Sequence, residues 1–175
     1  FEQKKGNTFN NIHSIFPSLL AKLSKEYNLK HFIHLSALGI NDALDSDYAK
    51  SKLEGENKVL KNFPLATILR PSIVYSVDDN FTTNFMTLLN RLPIFPLYYE
   101  GKTRFAPIHC SDLTDTIHYI ISNNVNSKII ECVGPEEITF KELLEKLLNL
   151  IGKKRLLIPL PLPVANFSAR FFEIM

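Results

Sequence analysis

Two apolar periods alternate along this chain. Short, nearly continuous apolar runs are separated by stretches in which apolar residues return every three or four positions. Leu19, Leu20, Leu23 and Tyr27 fall on one stripe and predict a helix within residues 14–27, with Pro17 near its start and Asn28 as its stop. Residues 30–36 read as a strand through Phe32, Ile33 and Leu35. A helix follows from the region of Tyr48 to Asn62, with Ser46 as its N-cap. Residues 65–69, between Pro64 and Pro71, form a short apolar run that suits a buried parallel strand. Helix, strand, helix, strand in that order predicts a parallel sheet with crossover helices.

Beyond Tyr75 the pattern changes. Phe85, Met86, Leu88 and Leu89 predict a helix over 81–92. Residues 93–107, rich in proline and aromatics, predict an irregular lid or binding loop. Ser111 is placed to cap a helix over 112–122, and residues 128–133 read as a further strand. Thr139-Phe140-Lys141-Glu142 spells a capping box, opening a helix whose apolar stripe runs from Phe140 to Ile151 and stops at Gly152. Pro159, Pro161 and Pro163 exclude a regular helix there, and residues 166–175 predict the start of a last one.

Composition narrows the function classes. The 175 residues suggest one domain, and 45% hydrophobic with 22% charged residues provides for a packed core. Twenty Lys and Arg against 18 Asp and Glu leave +2, which gives no electrostatic case for nucleic acid. The basic run Lys153-Lys154-Arg155 reads as a solvated helix end. Cys110 and Cys132 stand far apart without a CxxC, so neither a metal centre nor a disulfide framework is indicated, and a reducing, cytoplasmic compartment is expected. No apolar run is long enough to span a bilayer.

The candidate chemistry lies in residues 35–56. Tyr48 and Lys52 are four residues apart and project from one helix face. Ser36 stands about twelve residues earlier, just past the carboxyl end of a strand, where open α/β sheets bind ligands. A phenol titrates near ~10 in water, and a cation one turn away favours its ionised form. Lys52 is therefore expected to lower the Tyr48 pKa, with Ser36 holding a substrate oxygen for proton transfer. A Tyr-Lys pair at this spacing is also common on amphipathic helices that do no chemistry. Pro71, directly after a buried strand, turns the backbone out of the sheet towards the same crevice. His31 and His34 read as ordinary strand residues. Arg104 and His109 are weaker substrate candidates, with a surface charge and a packed strand histidine as the plainer readings.

Taken together these segments resemble the short-chain dehydrogenase/reductase superfamily, in its extended and atypical branches. The match rests on Ser36, Tyr48-x-x-x-Lys52 with Ser51 and Glu56, Leu69-Arg70-Pro71-x-x-Val74-Tyr75, Pro107-Ile108-His109-x-x-Asp112-Leu113, and Val133-Gly134-Pro135-Glu136-x-x-Thr139-Phe140-x-Glu142-Leu143. The wording around residues 31–36 and 52–56 is most similar to the group holding the nucleotide-binding accessory subunit of respiratory complex I and its bacterial relatives. The resemblance implies an α/β fold, the C-terminal part of a Rossmann-type parallel sheet with crossover helices, followed by small substrate-side segments. Residues 1–75 would carry the later Rossmann strands and 76–175 mostly a substrate-side lobe, with one sheet strand near 128–133.

It implies NAD(P)(H) as cofactor, with NADPH favoured. Ser36, Tyr48 and Lys52 would occupy the catalytic positions. Tyr48, Lys52, Pro71, Ser72, Ile73 and Val74 would touch the cofactor. Complex I subunits would be partners, at the inner face of the respiratory membrane. Two departures stand out. Ser76 replaces a glycine usual after Val-Tyr, and no G-x-G-x-x-G or G-x-x-G-x-x-G phosphate loop occurs in the sequence. On this resemblance the chain starts after the fourth strand of the fold and ends inside a helix, so that alone it binds NADPH weakly and leaves residues 30–36 as an open sheet edge. Three functions stay open: a nucleotide-holding, non-catalytic subunit or assembly factor; an active oxidoreductase, epimerase or dehydratase; and a plain α/β interaction domain.

Overall fold

The computed structural model describes residues 7–43 and 45–160. In chain order a π-helical turn, Asn11–Ile15, leads into α1 (Phe16–Glu26), β1 (Ile33–Leu35), α2 (Asp47–Asn62), β2 (Thr67–Pro71), β3 (Val74–Tyr75), α3 (Asn80–Arg91) and β4 (Ile94–Leu97). A 3-10 segment, Tyr98–Gly101, then precedes β5 (Arg104–Phe105), β6 (Ile108–His109), α4 (Cys110–Ser122), β7 (Ile129–Cys132), β8 (Ile138–Thr139), α5 (Phe140–Leu150) and β9 (Leu156–Pro159). The chain divides into two compact units, Phe1–Ser72 with Ile108–Val133, and Ile73–Pro107 with Gly134–Met175.

The first unit is the α/β part. Its sheet has the order β1-β2-β7, with both pairs parallel. Ile33 pairs with Thr67 and Leu35 with Leu69, and β2 continues alongside β7 until Pro71 faces Cys132. Among the described residues β1 is therefore an edge strand. It is shorter than the predicted 30–36 because its ladder starts where β2 does, at Thr67. The second strand lies two residues later than expected, reaching through Arg70 to Pro71. Ile68 and Leu69 are fully buried, as a central parallel strand requires. Ser36 N–H donates to Leu69 O at 2.7 Å and Leu38 N–H to Pro71 O at 2.9 Å, so backbone pairing continues past the end of β1.

The helical layer is held by close approach and polar ties. A Cβ at Gly55 would stand 1.8 Å from the His13 carbonyl oxygen, so only glycine lets the π-turn rest on α2. Lys58 Nζ donates to the fully buried Ser14 hydroxyl at 2.9 Å, and Asn62 Nδ2 donates to Ser18 Oγ at 2.8 Å. The stripe of Leu19, Leu20, Leu23 and Tyr27 faces outward instead of inward. Helix α1 buries Pro17 and Ala21, whose small bulk allows it close to α2. The α4 cap also differs from expectation. His109 is the N-cap, its ring nitrogen accepting from Ser111 N–H at 3.3 Å, and Ser111 lies inside the helix.

The second unit has its own core of Leu89, Phe95, Leu97, Leu143, Leu144, Leu147 and Leu148. Residues 93–107, expected to be irregular, carry β4, the 3-10 segment and β5. Strand β4 pairs in parallel with β9, and β5 antiparallel with β8. Pro96 is tolerated in a two-stranded ladder, where one side of the strand needs no donor. The capping box forms as read: Glu142 N–H donates to Thr139 Oγ1 at 3.2 Å, and Thr139 N–H to Glu142 Oε2 at 2.7 Å. Ser76, in place of glycine, keeps a negative φ, its amide donating to Asp79 Oδ2 at 3.2 Å. The predicted last helix, 166–175, lies outside the described residues.

Candidate functional site

Three sequence features bring the candidate residues to one end of the first unit. Strand β1 ends at Leu35, which delivers Ser36 to the carboxyl end of the sheet. Ser46 caps α2 by accepting from Ala49 N–H at 3.4 Å, which fixes where the helix begins. Tyr48 and Lys52 then occupy its first two turns. Lys52 Nζ lies 5.8 Å from the centroid of the Tyr48 ring and donates to the Leu35 carbonyl at 3.3 Å. The lysine thus joins the helix to the residue directly before Ser36.

The Tyr-Lys electrostatics differ from the expectation. The Lys52 ammonium stands over the aromatic face, a cation–π arrangement. Burial raises the Tyr48 phenol above its ordinary pKa, and the neighbouring cation does not reverse this. Burial also lowers the Lys52 amine, although Glu56 pulls it back up. The Tyr48 ring is packed edge-on by Phe9 and His13, at centroid separations of 5.8 and 5.1 Å. Burial, then the Lys52 charge, lower the His13 pKa, and His13 Nδ1 is 2.9 Å from Ser51 Oγ.

Beside this cluster lie buried polar atoms without a hydrogen-bond partner. Ser36 is 5% exposed, and its Oγ has no hydrogen-bond partner among the described residues. His34 Nε2, within β1, likewise has none among the described residues, and neither has His31 Nδ1 at the opposite, amino end of the strand. His34 titrates at about 4, held down by burial first and then by Lys52 and His13, against the opposing pull of Glu56. Unpaired groups of this kind are costly in a folded interior unless a ligand satisfies them. The Ser36 hydroxyl and the Lys52 amine suit the hydroxyl-rich nicotinamide–ribose end of a dinucleotide. A pyrophosphate cradle is not encoded in this sequence.

The remaining candidates separate. Pro71 closes β2, and Ser72 N–H donates to Cys132 O at 2.9 Å. Ile73 and Val74 belong to the second unit, where Ile73 lines a cavity. Arg104 also lies there, its Nε 2.6 Å from Glu137 Oε1. His109, in the first unit, is engaged at the α4 cap. The feature missed as a functional support is the Glu56–Arg70 pair. Glu56 is 2% and Arg70 8% exposed, and Arg70 Nε and Nη2 reach the two carboxylate oxygens at 2.9 and 2.6 Å. The hydrogen bond to Glu56 raises the guanidinium pKa. The pair bolts the middle of α2, one turn beyond Lys52, to the end of β2. Its signal was a lone acidic residue on the inner face of a helix and a lone basic residue in a buried strand.

These features define a Rossmann-type α/β unit. A dTDP-glucose 4,6-dehydratase from Streptomyces venezuelae, solved with NAD and DAU bound, superposes with a TM-score of 0.73 over 91% of this chain and 59% of its own, at 18% identity. No family model matches the chain. Within the class, the resemblance to the accessory subunit of respiratory complex I holds in sequence. The chain is 29% identical over 164 residues to the mitochondrial NADH dehydrogenase (ubiquinone) 1 alpha subcomplex subunit 9 of Dictyostelium discoideum, covering 93% of this chain and 44% of that protein. It is 30% identical over 133 residues to a ceramide reductase of Caulobacter vibrioides, covering 75% of this chain and 42% of that protein. The chain spans less than half the length of these curated relatives.

Proposed function

We propose that this protein holds an NAD(P)(H) dinucleotide as an accessory or assembly subunit of respiratory complex I, and does not turn it over. The observation carrying this reading is the position of Lys52. Its ammonium is placed over the Tyr48 ring and donates to the Leu35 carbonyl, and burial raises the phenol pKa, so Lys52 serves to tie α2 to the strand end. Tyr48, Lys52 and the Ser36 hydroxyl then act as hydrogen-bonding groups for the nicotinamide–ribose end, flanked by Pro71 and Ser72. The likeness to the Dictyostelium subunit supports the assignment to complex I, and with it a site at the respiratory membrane. Among the described residues no helix is long and apolar enough to cross a membrane, which fits peripheral attachment. NADPH is the form we favour.

A second reading has its own support. The unpartnered Ser36 hydroxyl beside the Tyr-Lys pair could hold a carbonyl oxygen. The relatives include a reductase, and the superposed structure is a dehydratase. The chemistry available from a bound nicotinamide is hydride transfer, and Tyr48 would carry the proton at its Oη. In that case the protein is an NAD(P)-dependent oxidoreductase, or a sugar-nucleotide epimerase or dehydratase.

Purification of the intact protein decides between them. The expected result is stoichiometric NADPH retained through gel filtration, co-purification with respiratory-complex subunits and no consumption of the nucleotide with carbonyl substrates. Lys52→Met should lower retention at least tenfold. Turnover that collapses in Tyr48→Phe would overturn the proposal in favour of the second reading.

A further inference from the structure

One face of β1 is turned towards α2 and carries a buried histidine that the nucleotide reading leaves unused. Side chains alternate along a strand, so Phe32, His34 and Ser36 share that face. Phe32 meets the far end of α2, its ring centroid 5.8 Å from that of Phe63. His34 comes next, under the charges of Lys52 and Glu56 from the middle of α2 and of His13 from the π-turn. Ser36 comes last, directly after Leu35, whose carbonyl takes the Lys52 hydrogen bond. The strand face and the helix thus run antiparallel, and His34 lies one step beneath Ser36. His34 Nε2 and Ser36 Oγ are both buried with no hydrogen-bond partner among the described residues. Two positions along a strand span about 6.6 Å, and an imidazole is long enough to bridge most of that.

The His34 ring is neutral near pH 7, because burial and then the Lys52 charge hold its pKa at about 4. A neutral imidazole presents one N–H and one lone pair. The Lys52 cation favours a lone pair over an N–H on the buried side of the ring. We propose that His34 is a positioning residue for Ser36: as the Nδ1–H tautomer it accepts a hydrogen bond from the Ser36 hydroxyl at Nε2, through at most one water, and so turns the Ser36 lone pairs towards the ligand. Ser36 then accepts from a donor on that ligand. In the nucleotide-holding reading, on which this contact rests, the donor is a ribose hydroxyl or the carboxamide N–H of the nicotinamide. A serine whose one proton is committed to His34 has no donor left for a carbonyl oxygen. The same bond therefore favours holding a nucleotide over reducing a carbonyl substrate.

The test starts on the intact, nucleotide-free protein with nitrogen-15 NMR of the histidine rings, which separates a protonated ring nitrogen from a bare one. His34 is expected as the Nδ1–H tautomer, with an Nε2 resonance that shifts in Ser36→Ala. NADPH affinity is then measured in a double-mutant cycle. His34→Phe keeps a planar ring and removes the acceptor, and it should weaken NADPH binding at least fivefold. Ser36→Ala should weaken it to a similar extent, and the double variant no further, because each change removes the same arrangement. An Nε2–H tautomer at His34, an Nε2 resonance unmoved by Ser36→Ala, or losses that simply add would each overturn the proposal. Wild-type protein with no affinity for NADPH would instead end the nucleotide-holding reading and the ligand contact with it, while the tautomer would still decide whether His34 orients Ser36.

Discussion

Replacing Glu56 with alanine should be among the most destabilising single changes in the first unit. Its carboxylate is 2% exposed and receives two hydrogen bonds from Arg70, at 2.9 and 2.6 Å. The Arg70 side chain is 10% exposed, and its other described partner is Asn41 Oδ1, at a long 3.5 Å. Removing the carboxylate leaves a buried guanidinium that cannot deprotonate and has lost its hydrogen-bonded counter-charge, with only the Coulombic pull of Glu131 remaining. Breaking a buried pair in this way costs ~3–5 kcal/mol, a large share of the ~5–15 kcal/mol that stabilises an ordinary domain. With a urea slope of ~1–3 kcal/mol/M, the midpoint should fall by roughly 2 M. The pair itself need not be a net stabiliser, because its desolvation offsets much of its attraction. Replacing both partners, as in Glu56→Leu with Arg70→Met, should therefore recover most of the loss. Urea unfolding followed by circular dichroism measures both. A Glu56→Ala unfolding free energy within ~1 kcal/mol of wild type would refute the reasoning, since the pair would then behave like a solvated surface contact.

Two further outcomes are expected. Gly55→Ala should destabilise by at least ~1 kcal/mol, although alanine in a helix normally gains about that much. The new methyl would meet the His13 carbonyl at 1.8 Å, and overpacking of this kind costs ~1–3 kcal/mol or more. A thermal melt showing a stabilised variant would contradict it. Stability should also decline as pH falls from about 6.5 towards 4. The unfolded chain protonates His34 near its ordinary value of ~6.5, whereas the folded protein resists until about 4. The loss can reach about 3 kcal/mol, His13 adds in the same direction, and His34→Gln should flatten the dependence between those pH values. Urea midpoints at pH 7 and pH 5 that match in wild type would rule this out.

What the residues declared in advance was local. The apolar run before Pro71, the capped helix carrying Tyr48 and Lys52, and the Thr139–Glu142 box follow from short-range rules, namely strand-forming side chains, N-cap hydroxyls and a proline without a donor. They sufficed for an α/β reading and for placing Ser36, Tyr48 and Lys52 near one sheet end. Local rules failed where a distant partner set the outcome. Leu19, Leu20 and Leu23 look like an inner stripe, yet α1 buries Ala21 because the approach to α2 selects the small face. Residues 93–107 contain strands only because β8 and β9, far along the chain, pair with them.

The site divides in the same way. Sequence spacing put a lysine one turn from a tyrosine, but spacing carries no information about which atom the ammonium approaches. The fold decided that it meets the ring and the Leu35 carbonyl, and that burial raises the phenol pKa. Likewise, Glu56 and Arg70 are fourteen positions apart and on different elements. Only the crossover from α2 to β2 brings them within hydrogen-bonding distance. Electrostatic consequences depend on distance and desolvation, and both are properties of the packed molecule.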